Sequence, residues 1–228
     1  TSGIYHTNST TSTTAQLDMR DNIVVNISTP VGTGLTVAFR RSAANASLNN
    51  YSTLSNNNDF YAGTPGPSNL IFNDGTNSDQ TLADFKTRVT PRESASFSEN
   101  PTFINSTTTP YDLRINTTTP TQIASGGITV ATPIAITSDY DGDLRNATTP
   151  DVGADEFAGV GLDLTPPVIS YNALLNTGST SARTLSANIS DPAGVPTSGI
   201  GLPVLYWAVN SGPFTANQGT YVSGNEFS

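Results

Sequence analysis

The chain has no cysteine, and its 228 residues include one lysine, one histidine, one methionine and one tryptophan. Without cysteine there is no disulfide, no thiol nucleophile and no Cys-ligated zinc. The single histidine, His6, lies in a Ser/Thr-rich stretch, which argues against a Ser-His-Asp triad or a His-rich metal site. Charged residues make up 12%, against about 25% in an average soluble domain. The net charge is −9, with a pI near 4.3. An acidic chain without a basic patch is a poor partner for nucleic acid or an anionic membrane. No run approaches 18 consecutive apolar residues, so no membrane insertion is expected. The opening residues TSGIYHTNSTT carry no leader character, and both ends read as cuts in a longer polypeptide with further domains.

The missing charge is replaced by 25 Ser, 35 Thr and 22 Asn, 82 of the 228 residues. Ser and Asn compete with helical hydrogen bonds and Thr is stiff at its first torsion, so this composition favours strands and turns. Short apolar runs alternate with a period of two at Leu17–Met19, Ile23–Ile27, Leu35–Phe39, Leu70–Phe72, Leu113–Ile115, Ile128–Val130 and Ile134–Ile136. Their irregular spacing predicts an all-β solenoid, in which loops grow on one face without disturbing the core. SDQTLADFKTRV places Leu82, Phe85 and Val89 on one helical face, with Asp79 or Thr81 available as N-cap. Asn49–Asn50 and Asn56–Asn58 read either as stacked polar ladders at strand corners or as ordinary loops. A Gly/Pro-rich connector covers residues 159–167, ending in Pro166–Pro167. Beyond it, Val168–Tyr171, Leu185–Ile189 and Val204–Ala208 read as sandwich strands. Residues 168–228 fall short of the roughly 100 an immunoglobulin domain needs, which predicts an incomplete module.

Residues 139–157, DYDGDLRNATTPDVGADEF, resemble the closing motif of secreted right-handed parallel β-helix proteins of the pectate-lyase-like superfamily. NNNDFYAGTPGPSNLIFNDGTNSDQTLADFK, residues 56–86, resembles the coils before that motif in large exported Bacteroidetes-type proteins. DLTPPVISYNALL, SDPAGV and GLPVLYW resemble bacterial immunoglobulin-like or fibronectin-like modules. The resemblance implies a parallel β-helix over residues 1–158 followed by a partial immunoglobulin-like β-sandwich over 168–228. It says little about activity, because this architecture carries lyases, hydrolases, adhesins and structural stalks alike.

The best candidate site is the acidic loop Asp139, Asp141 and Asp143. Three carboxylates so close need a cation or an arginine, and oxygen-rich loops suit Ca²⁺. The spacing is not that of an EF-hand, since the twelfth position is Pro150. Alternatively Arg145 pairs with one carboxylate while the others, with Asp155 and Glu156, cap turns. Arg40 and Arg41 point to opposite faces of a strand, so one could line a groove. Arg114–Ile115–Asn116 is a partial echo of a polygalacturonase signature, and the other polygalacturonase-type signatures do not occur. Tyr51, Phe60 and Tyr61 read as core more readily than as sugar platforms, and Trp207 as core of the second module. Asn-x-Ser/Thr triplets occur at Asn8, Asn26, Asn45, Asn50, Asn105, Asn116, Asn146 and Asn188. The bacterial resemblance argues against their glycosylation. No catalytic constellation stands out. The reading is a structural and adhesive segment of a secreted or cell-surface protein, with extracellular polysaccharide as candidate partner. A carbohydrate-binding or polysaccharide-cleaving groove is the alternative, and a passenger of a type IX-like secretion pathway a third. A groove lined by Arg and Asp would favour the alternative; a flat Thr, Asn and Ser face would favour the first reading.

Overall fold

The computed structural model describes residues 1–228 except Ala44, Asn45, Thr180 and Asn210. The chain is mostly β and separates into two units, Thr1–Leu162 and Asp163–Ser228. In the first unit the alternating run at Leu35–Phe39 becomes the organising strand. Strand β1 covers Ser2–His6, β2 Ile23–Val25, β3 Thr36–Arg41, β4 Asp59–Tyr61, β5 Asn69–Asn73 and β6 Ser78–Asp79. β3 lies between β1 and β5 and runs parallel to both, aligning Ile4, Phe39 and Phe72 across the sheet. β2 pairs in parallel with β4, setting Ile23 opposite Asp59.

Because both faces of β3 are covered, Val37, Ala38 and Phe39 are all fully buried. Phe39 is the hub of the core. Its ring centroid lies 5.2 Å from Tyr51, 5.9 Å from Phe72, 6.0 Å from Phe85 and 6.2 Å from Phe60. Each such aromatic pair is worth about 0.5–1.5 kcal/mol beyond the area it buries. Phe85 arrives on helix α1, Leu82–Val89, the predicted helix. Its N-cap is Thr81, which accepts from the Asp84 amide, while Phe85 and Val89 are buried. Asp79 instead takes the Arg88 guanidinium in a two-pronged contact, both distances 2.6 Å. Of the asparagine runs, Asn58 makes a side-chain pair: Asn22 Nδ2 donates to Asn58 Oδ1 at 2.9 Å. Asn58 Nδ2 in turn donates to the Met19 carbonyl and to Glu93.

The expected parallel β-helix is not formed. The sheets are small and separate, and none is closed or stacked as a solenoid. The parallel ladder stops at β5, because the turn at Asp74–Asn77 reverses the chain and β6 pairs antiparallel with β5. Strand β7, Phe103–Asn105, and β8, Asp112–Ile115, then form an isolated antiparallel hairpin. The runs Ile128–Val130 and Ile134–Ile136 form no strand, and Ile128, Ile134 and Ile136 are exposed. Alternation there finds no sheet to join.

The expected immunoglobulin-like sandwich also gives way to smaller sheets. In the second unit β9 covers Val168–Tyr171, β10 Ala187–Ser190, β11 Val204–Trp207, β12 Thr215–Gln218, β13 Tyr221–Ser223 and β14 Glu226–Phe227. They make one antiparallel sheet, β13-β14-β10-β9, and a separate hairpin, β11-β12. Among its described residues the buried side chains are Ile189 and Phe227, while every residue of β9, β11, β12 and β13 is exposed. Trp207, expected in a core, is 44% exposed and donates its indole N–H to Asn217 Oδ1 at 2.7 Å.

Candidate functional site

Two adjoining recesses open on the first unit, of about 850 and 520 Å³, and Ile23, Leu113, Tyr140 and Ala154 line both. One wall is the β7-β8 hairpin. The other is the long loop 127–154, which has no named strand and is held by side chains. Its anchor is Asp21, which sits in the left-handed region at φ 57°. Asp21 Oδ1 accepts from the Ile128 amide at 2.9 Å and its carbonyl accepts from the Gly153 amide at 2.8 Å. Gly153 is required there: at φ 103° an added Cβ would stand 2.7 Å from Ile23 Cδ1. Burial pushes the Asp21 carboxyl up to about 6, against the pull of the Ile128 amide, Arg145 and Arg20.

The acidic motif is a set of backbone clamps. Asp139 Oδ1 accepts from the amides of Gly142 and Asp143, both at 2.8 Å, and Oδ2 from the Glu156 amide at 2.9 Å. These amides, the Glu156 one foremost, hold the Asp139 carboxyl below its usual value. Asp151 accepts from Ser125 and Phe157, and Glu156 from Asn146 and Asp151. Arg145 lies 3.5 Å from Glu156 and donates to the carbonyls of Gly153 and Asp151. The arginine therefore neutralises Glu156 rather than Asp139, Asp141 or Asp143, the residues expected to hold Ca²⁺. Among the described residues no three His, Asp or Glu side chains are grouped to hold a metal ion. Asp155, beside Asp139 and Asp141 at the smaller recess, has its carboxyl raised by burial and by those two charges.

Over this polar frame lies exposed apolar surface. Tyr140 is 88% exposed, Leu144 82%, Leu113 62% and Tyr111 61%. The cations of the recesses are already matched: Arg20 forks onto Asp18 and Arg114 onto Asp112, while Arg145 pairs with Glu156 at 3.5 Å. Arg114 pulls the half-buried Asp112 carboxyl down to about 2.

A second polar cluster, absent from the sequence reading, is sealed in the core. Glu93 is fully buried at φ 58° and accepts from Tyr51 Oη, Ser96 Oγ and Asn58 Nδ2. Burial raises its carboxyl above the ordinary range. Arg41, 2% exposed, donates to Asn50 Oδ1 at 2.6 Å and to His6 Nδ1 at 3.3 Å. Its guanidinium and that of Arg92 each lie over the Tyr51 ring, at 5.7 and 5.5 Å. Tyr51 and Phe60 are thus core residues, and Arg41 is enclosed in the interior rather than lining a groove. Apart from Ser96, three positions from Glu93, these partners come from segments 9 to 42 positions apart, and no local pattern marks them.

No family model, curated protein or solved structure matches this chain. The likeness of residues 139–157 to a β-helix closing motif therefore has no family behind it. The motif's carboxylates clamp a loop, a role that any segment needing to satisfy exposed amides can reach.

Proposed function

We propose that the first unit is an adhesive module that grips a neutral polysaccharide in the cleft between the β7-β8 hairpin and loop 127–154. The observation that carries this is the exposure of Tyr140, at 88%, where the two recesses meet. A tyrosine held at the mouth of a cleft offers an apolar face to a sugar ring and a hydroxyl to its rim. Tyr111 adds a second ring at the smaller recess. Asp141 and Asp155 line the same recess and supply acceptors for sugar hydroxyls. A uronate polymer is disfavoured, because the arginines are engaged and these carboxylates would repel it. Low charge, absence of cysteine and abundant Ser, Thr and Asn suit an extracellular setting for such a module.

The test is calorimetric titration of the whole chain with neutral and acidic oligosaccharides. The expected result is binding to neutral glycans that Tyr140→Ala weakens about tenfold, the loss of one well-placed aromatic contact. Preference for uronates, or no effect of Tyr140→Ala on binding, would overturn the reading. Release of reducing ends would replace it with the polysaccharide-cleaving alternative.

A further inference from the structure

We propose that Asn116 and Asn146 are acceptor sites for N-linked glycan. The bacterial resemblance that disfavours glycosylation is matched by no family model, curated protein or solved structure. Seven of the eight Asn-x-Ser/Thr triplets can be compared; Asn45 lies outside the described residues. Asn8 and Asn50 are buried. Asn26 spends its Nδ2 on the Val37 carbonyl at 2.9 Å. Asn105 spends its Nδ2 on the carbonyls of Thr108 and Pro110, both at 2.9 Å. Asn188 is exposed on β10, and its Oδ1 receives no hydroxyl bond from Ser190.

Asn116 and Asn146 differ from all five. Each begins an Asn-x-Thr-Thr-Pro segment, Asn116–Pro120 and Asn146–Pro150; Asn116 is half-buried and Asn146 exposed. Thr118 Oγ1 donates to Asn116 Oδ1 at 2.7 Å and its amide to the same oxygen at 3.0 Å. Thr148 repeats this on Asn146, with both distances 3.0 Å. Among the described residues no group takes a hydrogen bond from either Nδ2. Asn105 has one residue more before its proline, and the hydroxyl contact moves from the second following residue to the third, Thr108.

This geometry suits glycosyl transfer. Two donors on Oδ1 stabilise the negative charge that gathers there when a transferase base takes a proton from Nδ2. The nitrogen then attacks C1 of a diphosphate-activated sugar. The Nδ2–C1 bond forms, the C1–O bond breaks, and the diphosphate leaves with the electron pair. Asn146 also lines the larger recess, so a glycan there would stand at its mouth, whereas Asn116 is not among that recess's lining residues.

The test incubates the folded full chain in two arms, with site occupancy read by peptide mass mapping. One arm uses a soluble asparagine glycosyltransferase with a nucleoside-diphosphate hexose. The other uses a membrane oligosaccharyltransferase with a polyprenyl-diphosphate oligosaccharide. Modification at Asn116 and Asn146 in either arm is the expected result and identifies the donor. Asn105 must break two hydrogen bonds first, so it reacts about 30-fold more slowly, equivalent to about 2 kcal/mol. Thr118→Ser keeps reaction at Asn116, and Thr118→Val loses it while Asn146 still reacts. Unfolding the chain erases the ranking. Equal rates at Asn105, Asn188 and Asn116 in the folded chain, or no reaction at Asn116 and Asn146 in either arm, overturns the proposal.

Discussion

Asp59 makes the stability of the first unit depend on pH in an unusual direction. Its side chain is fully buried on β4; Oδ1 accepts from the Glu99 amide at 2.8 Å, and Oδ2 has no partner among the described residues. Burial, with the nearby Glu99 charge adding to it, pushes the carboxyl from 3.8 to about 8. The folded chain at neutral pH therefore holds a proton that the unfolded chain releases. The stabilisation from this site is complete below about pH 4 and is lost as pH rises to 8. Each pH unit in that window costs about 1.4 kcal/mol. Lowering the pH from 7 to 5 restores about 3 kcal/mol, a rise of roughly 6–12 °C in Tm for a unit of this size. Other raised carboxyls, including those of Asp21 and Glu93, act in the same direction. The isolating comparison is therefore Asp59→Asn, whose amide keeps the acceptor for Glu99 and cannot ionise. The variant should match the parent near pH 4 and exceed it by about 4 kcal/mol at pH 7. Urea melts of both chains from pH 4 to 8 measure this. Parallel curves, or a variant less stable at pH 7, would refute the reasoning.

Phe39→Ala opens a void among four rings and should cost about 3–5 kcal/mol, read as a shift in the urea midpoint. Gly153→Ala forces a Cβ against Ile23 at a positive φ and should cost about 1–3 kcal/mol in the same melts. Asp21→Ala frees the Ile128 amide, at about 1–3 kcal/mol; hydrogen exchange should quicken across residues 127–150 before the β3 core responds.

The sequence made β3 legible because three consecutive apolar residues, Val37–Phe39, follow a polar-apolar alternation, and α1 because Leu82, Phe85 and Val89 share a face behind Thr81. β1 escaped notice: SGIYH alternates in burial, but its pairing depends on β3, 35 residues away. β4 escaped because Asp59 reads as a loop residue until its proton is considered. Ile128–Val130 and Ile134–Ile136 carried a strand pattern that tertiary structure overrode. At the cleft, the acidic loop was visible and so was the turn-capping role it could play. Which amides each carboxylate would reach was not visible, since Asp139 meets Glu156 and Asp21 meets Ile128 across 17 and 107 positions. Tyr140 was not singled out, because nothing in sequence separates an exposed tyrosine from a buried one.

The carboxylate clamps of loop 127–157 invert the usual map of mutational tolerance. In the β3 core an apolar change is severe and a surface polar change is mild. In the loop, Leu144 and Ile134 point into water and can drift freely, whereas exchanging one carboxylate oxygen for an amide nitrogen at Asp139, Asp151 or Glu156 sets a donor against a backbone amide that had an acceptor. Variation among sequences that share this loop should therefore spare its acids and scatter across its aliphatics.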